Sequence, residues 1–210
     1  MFGTQKNREF EKTLRKALPN GFELPEELWR FIQWLEAKKQ TFRYRRTNRL
    51  FLPTMPVESI DHTWSHIAFV IEPDLVRHWF GRDGLEELLV PLVRCGGDGS
   101  HFAVWKNGEN TEFVFLGSEG EAFTVTGGVQ EFIVLITMGY VSLEDRRSLM
   151  STPSENYAEV FDDEWPDPVE VKRHIQSAFG IIYPVTGENY VTPVEDDPFV
   201  KFVAATIANV

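Results

Sequence analysis

Cys95, the single cysteine of this chain, stands six residues before His101, and a thiol beside an imidazole can act as a nucleophile with its base. In an extended strand, residues six apart lie about 20 Å from one another, so the glycine-rich turn between them would have to fold the two side chains together. A cysteine at the end of a strand is more often a small buried apolar residue. We therefore interpret Cys95 as a packing residue and expect no catalytic residue.

The other chemical patterns in the sequence are incomplete. The run Cys95-Gly96-Gly97-Asp98-Gly99-Ser100 lacks the Lys-Ser/Thr ending of a phosphate-binding loop and does not open a helix. His62 and His66 have the spacing that binds a metal on a helix, but their segment is typical of extended chain. A single cysteine excludes an intrachain disulfide and a zinc site of several cysteines. We expect no metal and no cofactor.

The elements around the glycine run predict a meander of strands followed by a helix. Asn107-Gly108 is typical of a type I′ hairpin turn. Asp98 stands between two glycines, which is typical of a turn residue in the left-handed conformation. Gly117 breaks the strand that follows the hairpin. The predicted strands are Leu88–Val93, Ser100–Trp105, Glu112–Leu116 and Ala122–Val125, and the helix spans 127–139. We expect these strands to be antiparallel in one sheet, with the helix packed on it.

Several segments together resemble the SUKH superfamily of Smi/Knr-type domains. The opening Leu24-Pro25-Glu26-Glu27-Leu28-Trp29 is similar to the proline and amphipathic helix that begin these domains. The segments Pro25–Leu35, Gly96–Trp105, Thr111–Leu116 and Gln130–Met138 match the helix, glycine turn, hairpin and second helix, so the resemblance covers about residues 20–140. The stretch Gln40–Asp61 and the last seventy residues depart from it. The resemblance implies an α+β fold. It also implies a cytoplasmic immunity protein that neutralises a toxin by binding it, as bacterial members do. Fungal members resemble regulatory scaffolds, and one branch monitors the secretion channel.

In the rest of the first half, the pattern predicts a helix over 4–17 and a helix from Pro25. It then predicts a basic hairpin over Gln40–Leu52 that turns at Thr47-Asn48. A strand at His66–Ile71 and a helix ending at Gly81 follow. Later it predicts a helix from Pro168 to Phe179, short strands about a turn at Gly187, and a last helix capped by Asp197. The fold class is α+β, a single mostly antiparallel sheet flanked by helices. Residues 1–140 form the SUKH-like part, and residues 141–210 an acidic C-terminal extension packed on the same core.

Composition is that of a globular chain, with 42% hydrophobic and 25% charged residues among 210. No apolar run approaches the roughly 20 residues of a membrane span. The first ten residues are polar and lack the apolar core of a signal peptide. We expect a cytoplasmic protein on these grounds.

Charge is distributed unevenly along the sequence. Residues 1–50 carry a balance of +6, residues 51–150 of −9 and residues 151–210 of −8, which gives −11 in all. A nucleic-acid role would have to use Arg43, Arg45, Arg46 and Arg49. The interpretation that we favour is a solvated hairpin whose other face carries Phe42 and Tyr44, so no direct binding of nucleic acid is expected.

The function hypothesis is a non-enzymatic immunity protein that binds a cognate toxin domain, itself basic and of nuclease type. The alternatives are a regulatory scaffold or secretion accessory of the same fold, and an unrecognised hydrolase. Carboxylates on the surface would steer a basic partner, and a tryptophan, Trp105 or Trp165, would serve as the apolar anchor. The predicted partner-binding residues are Asp98, Trp105, Glu109, Glu112, Glu119, Glu121, Asp162, Asp163, Glu164 and Trp165.

Overall fold

The computed structural model describes residues 8–38, 41–44, 47–55, 64–72, 74–193 and 195–208. Its centre is a sheet of seven antiparallel strands whose spatial order is their order in the sequence. The strands are β1 Phe42–Arg43, β2 Leu50–Pro53, β3 Ala68–Val70, β4 Leu89–Arg94, β5 His101–Asn107, β6 Asn110–Leu116 and β7 Ala122–Thr126. The predicted antiparallel sheet and the α+β fold class are confirmed.

Among the described residues, seven α-helices surround this sheet. They are α1 Glu9–Ala17, α2 Glu26–Ala37, α3 Leu75–Phe80, α4 Val129–Leu135, α5 Pro153–Ala158, α6 Val169–Phe179 and α7 Pro198–Ile207. The helices predicted from Pro25, before Gly81, from Pro168 and after Asp197 are confirmed, and α1 confirms the described part of the helix predicted over 4–17.

Strand β5 has a buried core on each face of the sheet. Phe102 and Val104 point into the main core, which also contains side chains of α1, α2, α4 and α6. Ala103 and Trp105 alternate with them and point into a second core, together with side chains of α3 and α7. A strand that is buried on both faces has no polar alternation, which explains the continuous apolar run at this position.

Helix α4 is fully buried along its second half, whereas Glu131 in its first turn is exposed. It packs against α2, α6 and β7, and the side chains from Phe132 to Ile136 are all inaccessible to solvent. The Phe132 ring stacks on Phe113 with centroids 4.1 Å apart, and it meets Phe102 edge to face. The helix is shorter than the predicted 127–139, and it follows β7 directly.

The predicted hairpin at Asn107-Gly108 is present, but its turn is not type I′. Asn107 pairs with Asn110, so Gly108 and Glu109 are the two turn residues. Gly108 has a φ of 63°, whereas Glu109 does not have a positive φ. A type I′ turn needs positive φ at both positions, and glycine at the first position alone is the pattern of type II′. The prediction of the turn type was wrong because Asn107 still belongs to the strand, which moves the turn one residue later.

The basic hairpin is confirmed in the part that the structure describes, with Phe42 opposite Phe51 and Asn48 at a φ of 55°. The short strands predicted about Gly187 are wrong. A 3-10 turn, Glu188–Tyr190, is found there, because the Gly187 amide donates a 2.8 Å hydrogen bond to the Tyr140 hydroxyl rather than to a strand.

The C-terminal extension, residues 141–210, contributes side chains to both cores of the fold. Val171 and Ile175 of α6 belong to the main core, and Phe199 and Val203 of α7 belong to the second core. At the start of α7, the buried Asp197 carboxylate accepts hydrogen bonds from both the backbone amide and the hydroxyl of Thr124, each 2.7 Å long. The same carboxylate caps α7 by accepting from the amides of Phe199 and Val200.

Candidate functional site

Three loops meet at one end of the sheet and bring together some of the predicted carboxylates. The loop after β4 is joined to the loop after α4, because the Gly97 amide donates to Ser142 Oγ (3.2 Å) and the Leu143 amide to the Cys95 carbonyl (2.7 Å). The loop between β6 and β7 is joined to the first loop, because the Ser118 amide donates to Ser100 Oγ (3.2 Å). We call the carboxylates of these loops the acidic end: Asp98, Glu119, Glu121, Glu144 and Asp145.

Carboxylates of the acidic end are held by hydrogen bonds rather than by ion pairs with described residues. No ion pair among the described residues includes any of its five carboxylates. Asp98 accepts instead from the Ser100 amide (2.9 Å), the Ser100 hydroxyl and the Ser118 hydroxyl. Burial acts to raise the pKa of Asp98, but these hydrogen bonds outweigh it and lower the pKa below its ordinary value. Asp98 is therefore charged at neutral pH.

Asp98 does not have the left-handed conformation that its position between glycines suggested. Gly99 takes the positive φ, 107°, and Asp98 is a turn residue whose side chain accepts hydrogen bonds from Ser100 and Ser118. The correction has a simple reason, since glycine adopts this region without the steric cost that a Cβ adds.

Glu109 and Glu112 lie at the other end of the hairpin. Register places Asn107 opposite Asn110 at one end and His101 opposite Leu116 at the other. Strands of seven residues separate the two ends by about 20 Å. The predicted carboxylates of the hairpin therefore fall into two groups at opposite ends of the sheet, with Glu119, Glu121 and Asp98 in one and Glu109 and Glu112 in the other.

Trp105 is not a surface anchor in this structure. Only 4% of the residue is exposed, because Phe199 and Phe202 of α7 cover its ring, with centroids 5.0 and 5.2 Å away. Its indole nitrogen is also buried and has no hydrogen-bond partner among the described residues. The sequence could not place α7 over this strand, and so the prediction that Trp105 is available to a partner was wrong.

The acidic stretch at 162–164 is exposed and is held by aromatic side chains on either side of it. The Tyr157 hydroxyl donates to Asp163 (2.8 Å), and the Trp165 indole donates to the Gly139 carbonyl (3.0 Å). Lys172 Nζ lies 4.5 Å from the centre of the half-buried Trp165 ring. Asp162 and Glu164 are exposed and have no ion pair among those described. This stretch is anchored to α5 and Gly139, separately from the acidic end.

Cys95 is fully buried in the main core. Burial and the neighbouring carboxylate of Asp98 raise the pKa of its thiol well above the ordinary value. A protonated, inaccessible thiol is a poor nucleophile, which agrees with the interpretation of Cys95 as a packing residue.

A buried Glu72–His101 pair is the feature that the sequence analysis missed. His101 is 3% exposed, and its Nε2 lies 2.9 Å from Glu72 Oε2 in an ionic contact without the alignment of a hydrogen bond. Its Nδ1 lies 2.7 Å from the Gly99 carbonyl oxygen. Both ring nitrogens therefore lie close to acceptor oxygens in a site that water does not reach.

Positive charge gathers around the Glu72 carboxylate. Arg49 pairs with its second oxygen, and Arg94 adds a more distant charge. Burial acts to raise the pKa of Glu72, but the contact with His101 and the two arginines outweigh it, so the pKa lies below its ordinary value. A signal for this pair was present in the sequence, since a glutamate follows the apolar strand β3 and a histidine begins the apolar strand β5.

The pair forms the base of a cleft of about 740 Å3 between α3 and the loops at the acidic end. Its walls carry Arg49, Arg94, Asp74 and Asp98, and its apolar side is formed by Ile71, Leu75 and Trp79. The volume of the cleft lies within the range found for small-molecule sites. Titratable groups with shifted pKa values, such as Glu72 and Asp98, are a further feature of functional sites.

The basic hairpin is partly used in internal ion pairs. Arg43 Nε donates to Glu9 (3.0 Å), and Arg49 pairs with Glu72, whereas Arg45 and Arg46 lie outside the described residues.

Of the two histidines with metal-binding spacing, His66 is described and His62 is not. In the described part of the chain, no three His, Cys, Asp or Glu side chains lie close enough together to hold a metal ion. None of the described helices is both long and apolar enough to cross a membrane.

In comparisons with protein-family models, curated proteins and solved structures, the chain matched none. Membership of the SUKH superfamily therefore stays a prediction from the residues given above.

Proposed function

We propose that this protein acts by binding a basic protein partner through its acidic end, as an immunity protein of SUKH type binds a toxin domain. The observation that supports the proposal is that five carboxylates from three separate loops, none of them in an ion pair among the described residues, converge on one end of the sheet. With a net charge of −11, the chain attracts a basic surface over a distance.

The same loops are held in place by hydrogen bonds between backbone and side chains. Ser118, Ser100 and Ser142 connect them, and Leu143 is bonded to Cys95 at the edge of the main core. A rigid surface loses little conformational entropy when a partner binds, which favours affinity. The order of elements, with a helix after a proline, an antiparallel meander and then a buried helix, also agrees with the one that the resemblance implies.

The test begins by co-expressing and co-purifying this protein with the products of the genes found immediately beside its own, to identify the toxin partner. Tight binding at a fixed stoichiometry, with the partner's activity abolished, is the expected result. Association should slow about five-fold or more between 10 mM and 150 mM salt, because the Debye length falls from about 30 Å to about 8 Å. The dissociation rate should change less.

A pair of matched double variants locates the binding face. Glu119→Lys with Glu121→Lys reverses charge at the acidic end, and Glu109→Lys with Glu112→Lys makes the same change at the other end of the hairpin. In each pair, one carboxylate accepts a single hydrogen bond within the protein. Only the first variant should slow association. Equal effects of both, or association that ignores salt, would show that the acidic end is not the binding face.

A further inference from the structure

The cleft above the Glu72–His101 pair carries both signs of charge on its walls. Arg49 contributes one guanidinium nitrogen to Glu72, and half of its side chain is exposed, which leaves other N–H groups for a ligand. Arg94 donates to the Gly96 and Gly97 carbonyls (3.1 and 3.0 Å) and adds a second positive charge. Asp74 and Asp98 on the walls are exposed carboxylates without an ion pair among those described.

An apolar wall accompanies these charges. Ile71, Leu75 and Trp79 line the cleft and are each half-buried, so part of each side chain faces the open space. The Trp79 indole donates to the Gly117 carbonyl (2.9 Å), which fixes the orientation of the ring. A ring that is held at its edge offers its face to an apolar group.

We propose that this cleft binds a zwitterion with an apolar side chain, namely a free amino acid such as phenylalanine or a short peptide that ends in one. Arg49 pairs with the carboxylate, Asp74 and Asp98 hold the ammonium group, and Trp79 and Leu75 contact the side chain. Arg49 and Arg94 give the cleft positive charge and Glu72, Asp74 and Asp98 give it negative charge, so a ligand that itself carries both signs of charge fits the cleft better than an anion or a cation.

The volume of about 740 Å3 admits either source of this chemistry. A buried base is needed for such a site to keep its shape, and the contacts of His101 with Glu72 and Gly99 provide one. The proposal goes beyond partner binding, since it assigns a small-molecule site to a cleft that shares only Asp98 with the acidic end.

Calorimetric titration with four compounds tests the chemistry. L-Phenylalanine or glycyl-L-phenylalanine should bind, and whichever of them binds identifies the free amino acid or the short peptide as the ligand. N-acetyl-L-phenylalanine, which lacks the ammonium group, and phenethylamine, which lacks the carboxylate, should each bind at least about ten-fold more weakly. Equal binding of either single-charge analogue, or no saturable binding of the two zwitterions up to about 10 mM, would overturn the proposal.

Variants then locate the site. Arg49→Gln should reduce the affinity for the zwitterion at least about ten-fold, whereas Arg43→Gln, which removes an arginine of the same hairpin that pairs with Glu9, should leave it unchanged. Asp74→Asn is a second cleft variant and should also bind the zwitterion more weakly. It removes no internal ion pair among those described, so its loss of affinity cannot come from a rearrangement of the side chains around Glu72. In NMR titrations, the Trp79 indole N–H should shift on binding. Unchanged affinity in both cleft variants, or shifts confined to other tryptophans, would refute the assignment.

Discussion

We expect the buried carboxylate of Asp197 to hold the C-terminal helix α7 on the sheet. No part of this residue is exposed, and its two oxygens accept four hydrogen bonds, two from Thr124 and one each from the amides of Phe199 and Val200. Asp197→Ala removes the helix cap and leaves the Thr124 amide and hydroxyl buried without this acceptor.

The magnitude follows from these contacts. Loss of an N-cap costs about 1 kcal/mol, and each buried donor left without a partner costs about 1–3 kcal/mol. We therefore expect the free energy of unfolding to fall by about 4 kcal/mol. With a urea dependence of about 2 kcal/mol per molar, the midpoint of unfolding should fall by about 2 M.

Urea unfolding followed by tryptophan fluorescence and by circular dichroism measures this change. Trp105 lies under α7, so an early fluorescence transition would report that the helix detaches before the sheet unfolds. The matched control is Asp196→Ala, which removes an exposed carboxylate one residue earlier and should change the stability by less than about 0.5 kcal/mol. A loss below about 1 kcal/mol for Asp197→Ala, or equal losses for both variants, would refute the role of this carboxylate.

Two further predictions concern Glu72 and Gly139. Glu72→Gln should lower the free energy of unfolding by about 3 kcal/mol at neutral pH, because it removes the buried carboxylate that contacts His101 and pairs with Arg49. Since the pKa of Glu72 is lowered in the folded protein, its contribution is present above the pKa of the unfolded chain and is lost as the pH falls through the folded pKa. The difference between wild type and variant in urea unfolding should therefore shrink below about pH 4, and a difference that is independent of pH would contradict this. Gly139→Ala should lower the free energy of unfolding, measured by thermal unfolding, by about 2 kcal/mol more than Gly108→Ala does. Both glycines have a positive φ. Of the two, only Gly139 has neighbours that a new Cβ would meet, Pro168 Cδ at 2.8 Å and Trp165 Cζ2 at 2.9 Å. Equal losses for the two alanine variants would show that the contact at Gly139 is relieved by small shifts.

Segments whose structure is set by neighbours in the chain were predictable from the sequence. A proline followed by two glutamates predicted the start of α2, Asp197-Pro198 predicted the start of α7, and the turn residues predicted the β5–β6 hairpin. In each case the signal lies within a few residues of the feature, because helix caps and two-residue turns are satisfied locally.

The tertiary structure decided everything that depends on which elements meet. Glu72, His101 and Arg49 belong to three different parts of the sequence, and the order of the strands brings them to one cleft. The same order divides the hairpin carboxylates between opposite ends of the sheet. Trp105 was expected at the surface and is buried, since α7 returns across the sheet from the end of the chain. The apolar pattern determines that a face is covered, but the covering element is chosen by packing over the whole fold, which no local pattern contains.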